Sequence, residues 1–324
     1  MSTTADPTAT AAADRALREG CGLLDRSERG KLAVSGGEAR EYLQGQVTND
    51  VEALAPGQGC YAAFLTHKGK MLGDLRILDA GDELLLDCER VALQELFNLL
   101  RRTTVGRDAE LHKRTLQRGL LSLIGPSARS VAGARDAGLG EAEHDHVAAR
   151  VCEHDVRLIA TDAGGVDVLC LGEDTDAVAA ALEARGAVRV PEAAAEVIRV
   201  ERGRPRYGAE LDDTVIPQEA GLNARAVSFT KGCYVGQETV ARLHYRGKPN
   251  RHLRGLRLSA PALAGTEVRA GEKVVGRLAT VADSPVHGPI ALALVRREAA
   301  PGDTVAVGDD RAAAVVVDLP FSAA

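Results

Sequence analysis

The chain has no tryptophan, two methionines, and aromatic residues at only 3% of its 324 positions. So few rings argue against a base-stacking platform or an aromatic sugar cleft. Positive charge is also scarce: 40 Lys and Arg stand against 46 Asp and Glu, a formal net charge of −6. With no cationic surplus to meet phosphates, direct nucleic-acid binding is not expected. No run approaches the roughly 18 apolar residues of a membrane span, so no membrane partner is expected either. The six cysteines (Cys21, Cys60, Cys88, Cys152, Cys170, Cys233) form no CxxC pair, which removes the local framework for a zinc site or a redox dithiol. GxxxxGK[ST], HExxH and GxSxG are all missing, and GQG at 57–59 lacks the third glycine of a dinucleotide loop. The opening residues, MSTTADPTATAAADRA, lack a basic n-region and read as a disordered tail over 1–20. Scattered thiols without a disulfide pattern point to a reducing, cytoplasmic setting.

What is present is a globular composition, 45% hydrophobic and 27% charged, and an internal repeat. KLAVSGGEAREYL from Lys31 and GLLSLIGPSARSV from Gly119 each read as a strand, a glycine (Gly36, Gly125) and a helix start at Ala39-Arg40 or Ala128-Arg129. Each copy continues through strand-like runs and a helix, Ala92–Arg101 in the first and Asp176–Arg185 in the second, to a short closing strand. The expected fold class is α+β, with two ferredoxin-like βαββαβ units at 21–115 and 116–198. The first copy carries extra residues around QGQVTNDVEALAPGQG at 44–59, either a working loop or a neutral insertion. Residues 199–250 are rich in Arg, Gly and polar turns. From 251 to 324, short alternating strands predict an all-β barrel.

Three segments could carry chemistry. In SFTKGCYVGQETVARLHYRG (228–247), a helix starting near Tyr234 or Val235 would put Cys233 at its N-terminus beside Lys231, where dipole and ammonium favour the thiolate. Gln237 and Glu238 would occupy the first turn, and Val235, Thr239, Val240 and Leu243 an apolar face. A buried cysteine before an amphipathic helix is the plain alternative. In IRVERGRPRYGAELDD (198–213), Glu201 stands among Arg199, Arg202, Arg204 and Arg206. These are either salt bridges or a site for a ligand with an amidine-like edge and acids, the glutamate taking two N–H bonds and the arginines gripping the acids. Asp212 and Asp213 read as a turn. In THKGKMLGDLRIL (66–78), Asp74 is a catalytic or ligand carboxylate, or else a strand-edge or turn residue, and Lys68 and Lys70 are anion partners or solvated. HDH at 144–146, with His154, has metal-ligand residue types in a polar connector.

KGCYVGQETVAR resembles the signature of the YgfZ-type folate-binding proteins, relatives of the glycine-cleavage T-protein (aminomethyltransferase). YLQGQVTNDV (42–51), KGKMLGDLRIL (68–78) and RVERGRPRYGAEL (199–211) resemble further segments of that superfamily, so the likeness runs from about residue 22 to the end. It implies a three-lobed, ring-like molecule holding tetrahydrofolate or a derivative in a central channel, with segment 199–250 returning to that channel. It assigns Glu201 to the pterin, Asp74 to the T-protein's catalytic position and Cys233 to a functional thiol. Thr48, Asn49, Lys231, Tyr234, Gln237 and Arg242 join Glu201 and Asp74 as folate-binding candidates. The implied role is assembly or repair of iron–sulfur enzymes, including those that methylthiolate tRNA, with those enzymes and assembly factors as partners. A folate-dependent aminomethyltransferase or demethylase is the other reading.

Overall fold

A computed structural model describes residues 7–322. It opens with helix α1 (Pro7–Glu19) and strand β1 (Gly22–Asp25). The first repeat follows as β2 (Gly30–Ser35), α2 (Ala39–Gln46), β3 (Gly59–Leu65), β4 (Met71–Asp79), β5 (Glu83–Cys88), α3 (Arg90–Thr103) and β6 (Glu110–Lys113). The second is β7 (Arg118–Ile124), α4 (Ala128–Ala132), β8 (His146–Val151), β9 (His154–Ala160), β10 (Val166–Leu171), α5 (Thr175–Ala184) and β11 (Val188–Arg189). Helices α6 (Glu192–Glu201), α7 (Asn223–Ala226) and α8 (Gln237–Arg246) precede β12 (Arg251–Leu258), β13 (Glu267–Ala270), β14 (Lys273–Ser284), β15 (Gly288–Arg296), β16 (Thr304–Val307) and β17 (Ala312–Val317).

The chain divides into two compact units. The first gathers the residues up to Gln44, Asp50–Ala62 and Leu75–Ala195; the second gathers Gly45–Asn49, Ala63–Asp74 and everything from Glu196 on. Both repeats belong chiefly to the first unit. The first repeat's sheet has the order β3-β4-β5-β2-β6, and the second's has β8-β9-β10-β7-β1-β11. Removing β3 or β8 at one edge, and β1 from the second sheet, leaves the ferredoxin-like order in both. Strand β1 pairs antiparallel with β7 and parallel with β11, a non-local insertion that the repeat pattern does not announce.

The repeat is visible in sequence because both copies solve one backbone problem. Gly36 and Gly125 have φ of 109° and 125°, and a Cβ at either would lie 2.4–2.5 Å from a carbonyl oxygen, of Asp108 or Gly20 respectively. Only glycine fits that conformation and that approach. Helices α2 and α4 start at the expected Ala39 and Ala128.

The disordered tail expected over 1–20 gives way to α1 across Pro7–Glu19; residues 1–6 lie outside the described residues. Ala13, Ala16 and Leu17 are buried, and Arg18 bridges Asp14 one turn back at 2.7 Å. An apolar face made largely of alanine gives little hydrophobic signal, and the helix gains its stability by packing.

The connector histidines are occupied structurally. His146 is buried, with Nε2 against the Gln58 carbonyl at 3.2 Å and Nδ1 accepting from Arg157 at 2.8 Å. Burial, together with the Arg157 charge, pushes its pKa down to about 4. His154 bridges Asp174 at 2.9 Å. Among the described residues, no group of three or more His, Cys, Asp or Glu could hold a metal ion. No described helix is long and apolar enough to cross a membrane.

The second unit holds the expected barrel, closed in the order β12-β15-β14-β13-β16-β17. Leu256, Val268, Leu278, Ala293, Val305 and Val316 fill its interior. Strand β13 carries one fully buried residue, Val268, and is too short to stand out in the sequence.

Candidate functional site

The second unit collects pieces of all the motifs named above: 45–49, 63–74, 199–211 and 228–247. Past the end of α2, Val47 and Thr48 lie along β3. A bridge joins Val47 to Phe64, and Thr48 N–H donates to Ala63 O at 3.1 Å. The enlarged loop of the first repeat thus contributes a short extended segment to this unit.

That segment is fastened to the cysteine motif. The fully buried Thr48 hydroxyl donates to Ala226 O at 2.5 Å and accepts from Ala63 N–H at 2.9 Å. Ser228 N–H donates to Thr48 O at 2.9 Å, and Asn49 Nδ2 to Arg225 O at 3.2 Å. Lys231 is buried, and its ammonium donates to Val47 O at 2.8 Å and Asn49 O at 2.7 Å, with the Tyr234 ring centroid 5.2 Å away. Burial pushes the Tyr234 phenol up to about 12, so it keeps its proton. Thr48 and Lys231 are placed here as scaffold: their donors are taken up by backbone carbonyls.

Cys233 is exposed. Its position corrects the expected helix start. Gly236 is the N-cap with φ of 84°, and the helix begins only at Gln237, four residues beyond the thiol. A left-handed residue cannot sit inside a right-handed helix, so the first turn cannot reach back to Tyr234. The thiol therefore lies outside the first turn of the helix, and the Lys231 ammonium is aimed at the 47 and 49 carbonyls. Gln237 and Glu238 do occupy the first turn. Of the expected apolar face only Val240 is buried; Val235 is 41% exposed.

The two glycines around the thiol differ. A Cβ on Gly236 would lie 2.5 Å from Thr66 O and 2.9 Å from Leu65 Cβ, because the Thr66–Gly69 turn packs there. A Cβ on Gly232 would meet nothing within 4 Å. We expect Gly236→Ala to lose about 2–4 kcal/mol from strain and overpacking, and Gly232→Ala to stay within about 0.5 kcal/mol. Urea unfolding of the two variants checks this contrast.

Asp74 sits within β4 and is buried. The alternative of a turn aspartate is therefore excluded: the turn of that hairpin is Thr66–Gly69, closed by Gly69 N–H to Thr66 O at 2.9 Å. Lys70 is a structural tie, donating to Thr214 O at 2.7 Å. Asp212 forms the expected turn, its Oδ1 accepting from Thr214 N–H at 2.8 Å.

Glu201 ends α6 and is buried. Ser284 at the end of β14 donates to its Oε1 at 2.5 Å, and the Ser284 oxygen in turn accepts from Val286 and His287 N–H. Of the two readings of the surrounding arginines, salt bridges are what Arg199 and Arg206 form. Arg199 forks onto Glu196 at 2.9 Å with both Nε and Nη2, and reaches the fully buried Glu210 carboxylate at 2.8 Å and Thr280 Oγ1 at 2.9 Å. Arg206 bridges Glu196 at 2.9 Å. The arginines hold the chain's own carboxylates, since Glu196 and Glu210 lie within their reach. Ser284, Thr280 and Glu210 were not found from sequence. The first two lie on β14, far along the chain, and only the spacing of Glu210 from Arg206 carries a local hint.

The structure therefore brings Thr48, Asn49, Lys231 and Tyr234 together through hydrogen bonds and ring contact, and ties Glu201 to the barrel. Gln237 is half-buried at the start of α8, and Arg242 is exposed on it. The second unit thus carries two buried carboxylates, Asp74 and Glu201, the exposed thiol of Cys233 and the protonated phenol of Tyr234.

Residues 4–231 match the GCVT N-terminal domain, and residues 251–322 match the glycine cleavage T-protein C-terminal barrel domain. The chain is 30% identical to an aminomethyltransferase of Rubrobacter xylanophilus over 319 residues, 94% of this chain and 84% of that one. It is 29% identical over 326 residues to a chloroplastic protein of Arabidopsis thaliana provisionally named a transferase, covering 95% of this chain and 73% of that one. The glycine cleavage system aminomethyltransferase of Bartonella henselae has the same fold, with a TM-score of 0.85 at 24% identity over 98% of this chain and 90% of that one. The chain belongs to the glycine cleavage T-protein family.

Proposed function

We propose that the chain is a YgfZ-type member of this family, a tetrahydrofolate-binding protein that uses Cys233 in the assembly or repair of iron–sulfur enzymes, tRNA-methylthiolating ones included. The observation that carries this reading is the exposed thiol of Cys233 on a segment whose neighbours, Lys231 and Ser228, are clamped to the 47–49 backbone. Exposure suits a thiol that must reach another protein, and the clamp limits where that thiol can go.

The residues present fit a reduced folate. The buried Glu201 carboxylate, already oriented by Ser284, would accept N–H groups of the pterin's amidine edge. Asp74 would face its reactive nitrogens, with Asn49, Tyr234 and Gln237 as further polar contacts. Tetrahydrofolate, when bound, supplies an acceptor for one-carbon groups. The protein's own residues bind and orient it: Glu201 fixes the pterin, Asp74 holds or positions a proton, and Ser284 keeps Glu201 in its rotamer. The proposed setting is the cytoplasm.

Isothermal titration with tetrahydrofolate tests the reading. The wild type should bind saturably, and Glu201→Gln should bind about tenfold more weakly or worse, the loss of a charge-assisted pair of bonds. Equal affinity in both proteins, or no binding to either, would refute the assignment.

Asp74 also supports a second reading, transfer of an aminomethyl carbon to tetrahydrofolate. A buried mid-strand carboxylate is suited to proton management, and the Rubrobacter relative is named an aminomethyltransferase. A glycine-cleavage assay with a lipoylated carrier separates the two readings, since only this one predicts folate-dependent methylene transfer.

A further inference from the structure

Helix α8 carries an unusual outer face. Arg242 and Arg246 stand one turn apart with Lys248 just beyond, and all three are exposed. Elsewhere the chain's arginines are commonly paired, as Arg76, Arg199, Arg251, Arg269 and Arg311 are. These three cations have no carboxylate partner among the described residues. The intervening Tyr245 neighbours the two arginines on the helix and belongs to an aromatic group: Phe229 and His244 stack with centroids 3.8 Å apart and planes at 17°, and Tyr245 meets both rings edge-on at 6.4 and 4.8 Å. Tyr245 is nonetheless 68% exposed.

Three like charges crowd one helix end in a chain whose net charge is −6, and a large aromatic surface is left to water. Arginine and tyrosine beside one another are the residue types that carry binding energy in protein interfaces. The stacked geometry fixes His244 and leaves Tyr245 as a pre-ordered anchor.

We propose that this face of α8 is a docking surface for an acidic segment of a partner protein. Carboxylates of the partner would pair with Arg242, Arg246 and Lys248, the arginines bidentately, and an apolar side chain would cover Tyr245. Protein is favoured over single-stranded nucleic acid for two reasons. The faces of Phe229 and His244 are spent on each other, which leaves few open faces for bases. Three cations also make few phosphate contacts. The proposal takes Arg242 for this surface and stands whether or not folate binds.

The test is fluorescence anisotropy of the full chain with a labelled oligoglutamate peptide carrying a leucine, compared with a labelled oligouridylate. The peptide should bind at low ionic strength and weaken as salt is added. The triple variant Arg242→Glu, Arg246→Glu, Lys248→Glu should bind it about tenfold more weakly or worse. Tyr245→Ser should reduce affinity while leaving the salt dependence as in the wild type. A control, Arg101→Glu with Arg102→Glu on the exposed side of α3, should bind as the wild type does. The proposal is overturned by failure of the peptide to bind, by an equal loss in the control, or by tighter binding of the oligouridylate. Circular dichroism of each variant confirms folding, and single Arg246→Ala gives a milder second measurement.

Discussion

A Cys233→Ala protein should fold and melt as the wild type does, yet fail to support iron–sulfur enzymes in cells that lack the native gene. The side chain is exposed, so its removal leaves no cavity and should change stability by no more than about 0.5 kcal/mol. Client activity, read for instance as tRNA methylthiolation, should fall to the level of the deletion strain. A full rescue by Cys233→Ala would end the proposed role of the thiol. Thiol titration gives a companion check. Cys152 and Cys233 are the two exposed cysteines, while the other four are buried, and burial pushes the Cys21 thiol up to about 11. The native wild type should therefore show two fast-reacting thiols and the variant one.

The second large effect concerns the fold. Arg76 on β4 is buried and bridges Asp87 on β5 at 2.6 Å and Asp167 on β10 at 2.7 Å, joining the two sheets of the first unit. Asp87 also takes Arg29 at 2.8 Å, and Asp167 takes the Ser122 hydroxyl at 2.6 Å. Burial pushes the Asp87 pKa up, but the Arg29 and Arg76 guanidiniums outweigh it and hold that carboxyl below its usual range. Arg76→Leu strands two carboxylates in a dry place, and removing one partner of such a network costs about 3–5 kcal/mol. Denaturant unfolding should show that loss near neutral pH. Without the arginine one of the two guanidiniums that hold the Asp87 carboxyl down is gone, and its native-state pKa rises. A carboxylate raised in the native state destabilises it above that pKa, so the deficit should shrink on acidification. A loss under about 1 kcal/mol, or one independent of pH, would contradict this assignment of Arg76.

Much of this architecture is legible in the sequence where local chemistry dictates it. Gly36 and Gly125 mark equivalent turns because each admits a carbonyl where a Cβ would collide. Of the face Leu93, Leu96, Phe97 and Leu100 that the spacing predicts along α3, Leu96 and Leu100 are buried and Leu93 and Phe97 half-buried, with Ala92 buried as well. Non-local choices are not legible. Nothing within GLLD announces that β1 inserts between β7 and β11, or that Ser284 will bond Glu201. The sequence puts the start of α8 near Tyr234 or Val235 because Val235 continues the i, i+4 spacing of Thr239 and Leu243. What stops the helix is the left-handed Gly236 pressed against a turn some 170 positions earlier in the chain. Lys231 was expected to act beside the sulfur; its sequence neighbour is the cysteine, but its hydrogen-bond partners are two distant carbonyls.

The most direct test of the folate account is crystallographic: soak or co-crystallise the protein with a reduced folate and measure where the pterin lies. The account predicts the pterin's amino and ring N–H groups within hydrogen-bond distance of the Glu201 carboxylate, with Asp74 beside the reduced ring and the Cys233 thiol opening onto the same cavity. A folate bound away from Glu201, or a thiol facing solvent on a surface apart from the ligand, would contradict it.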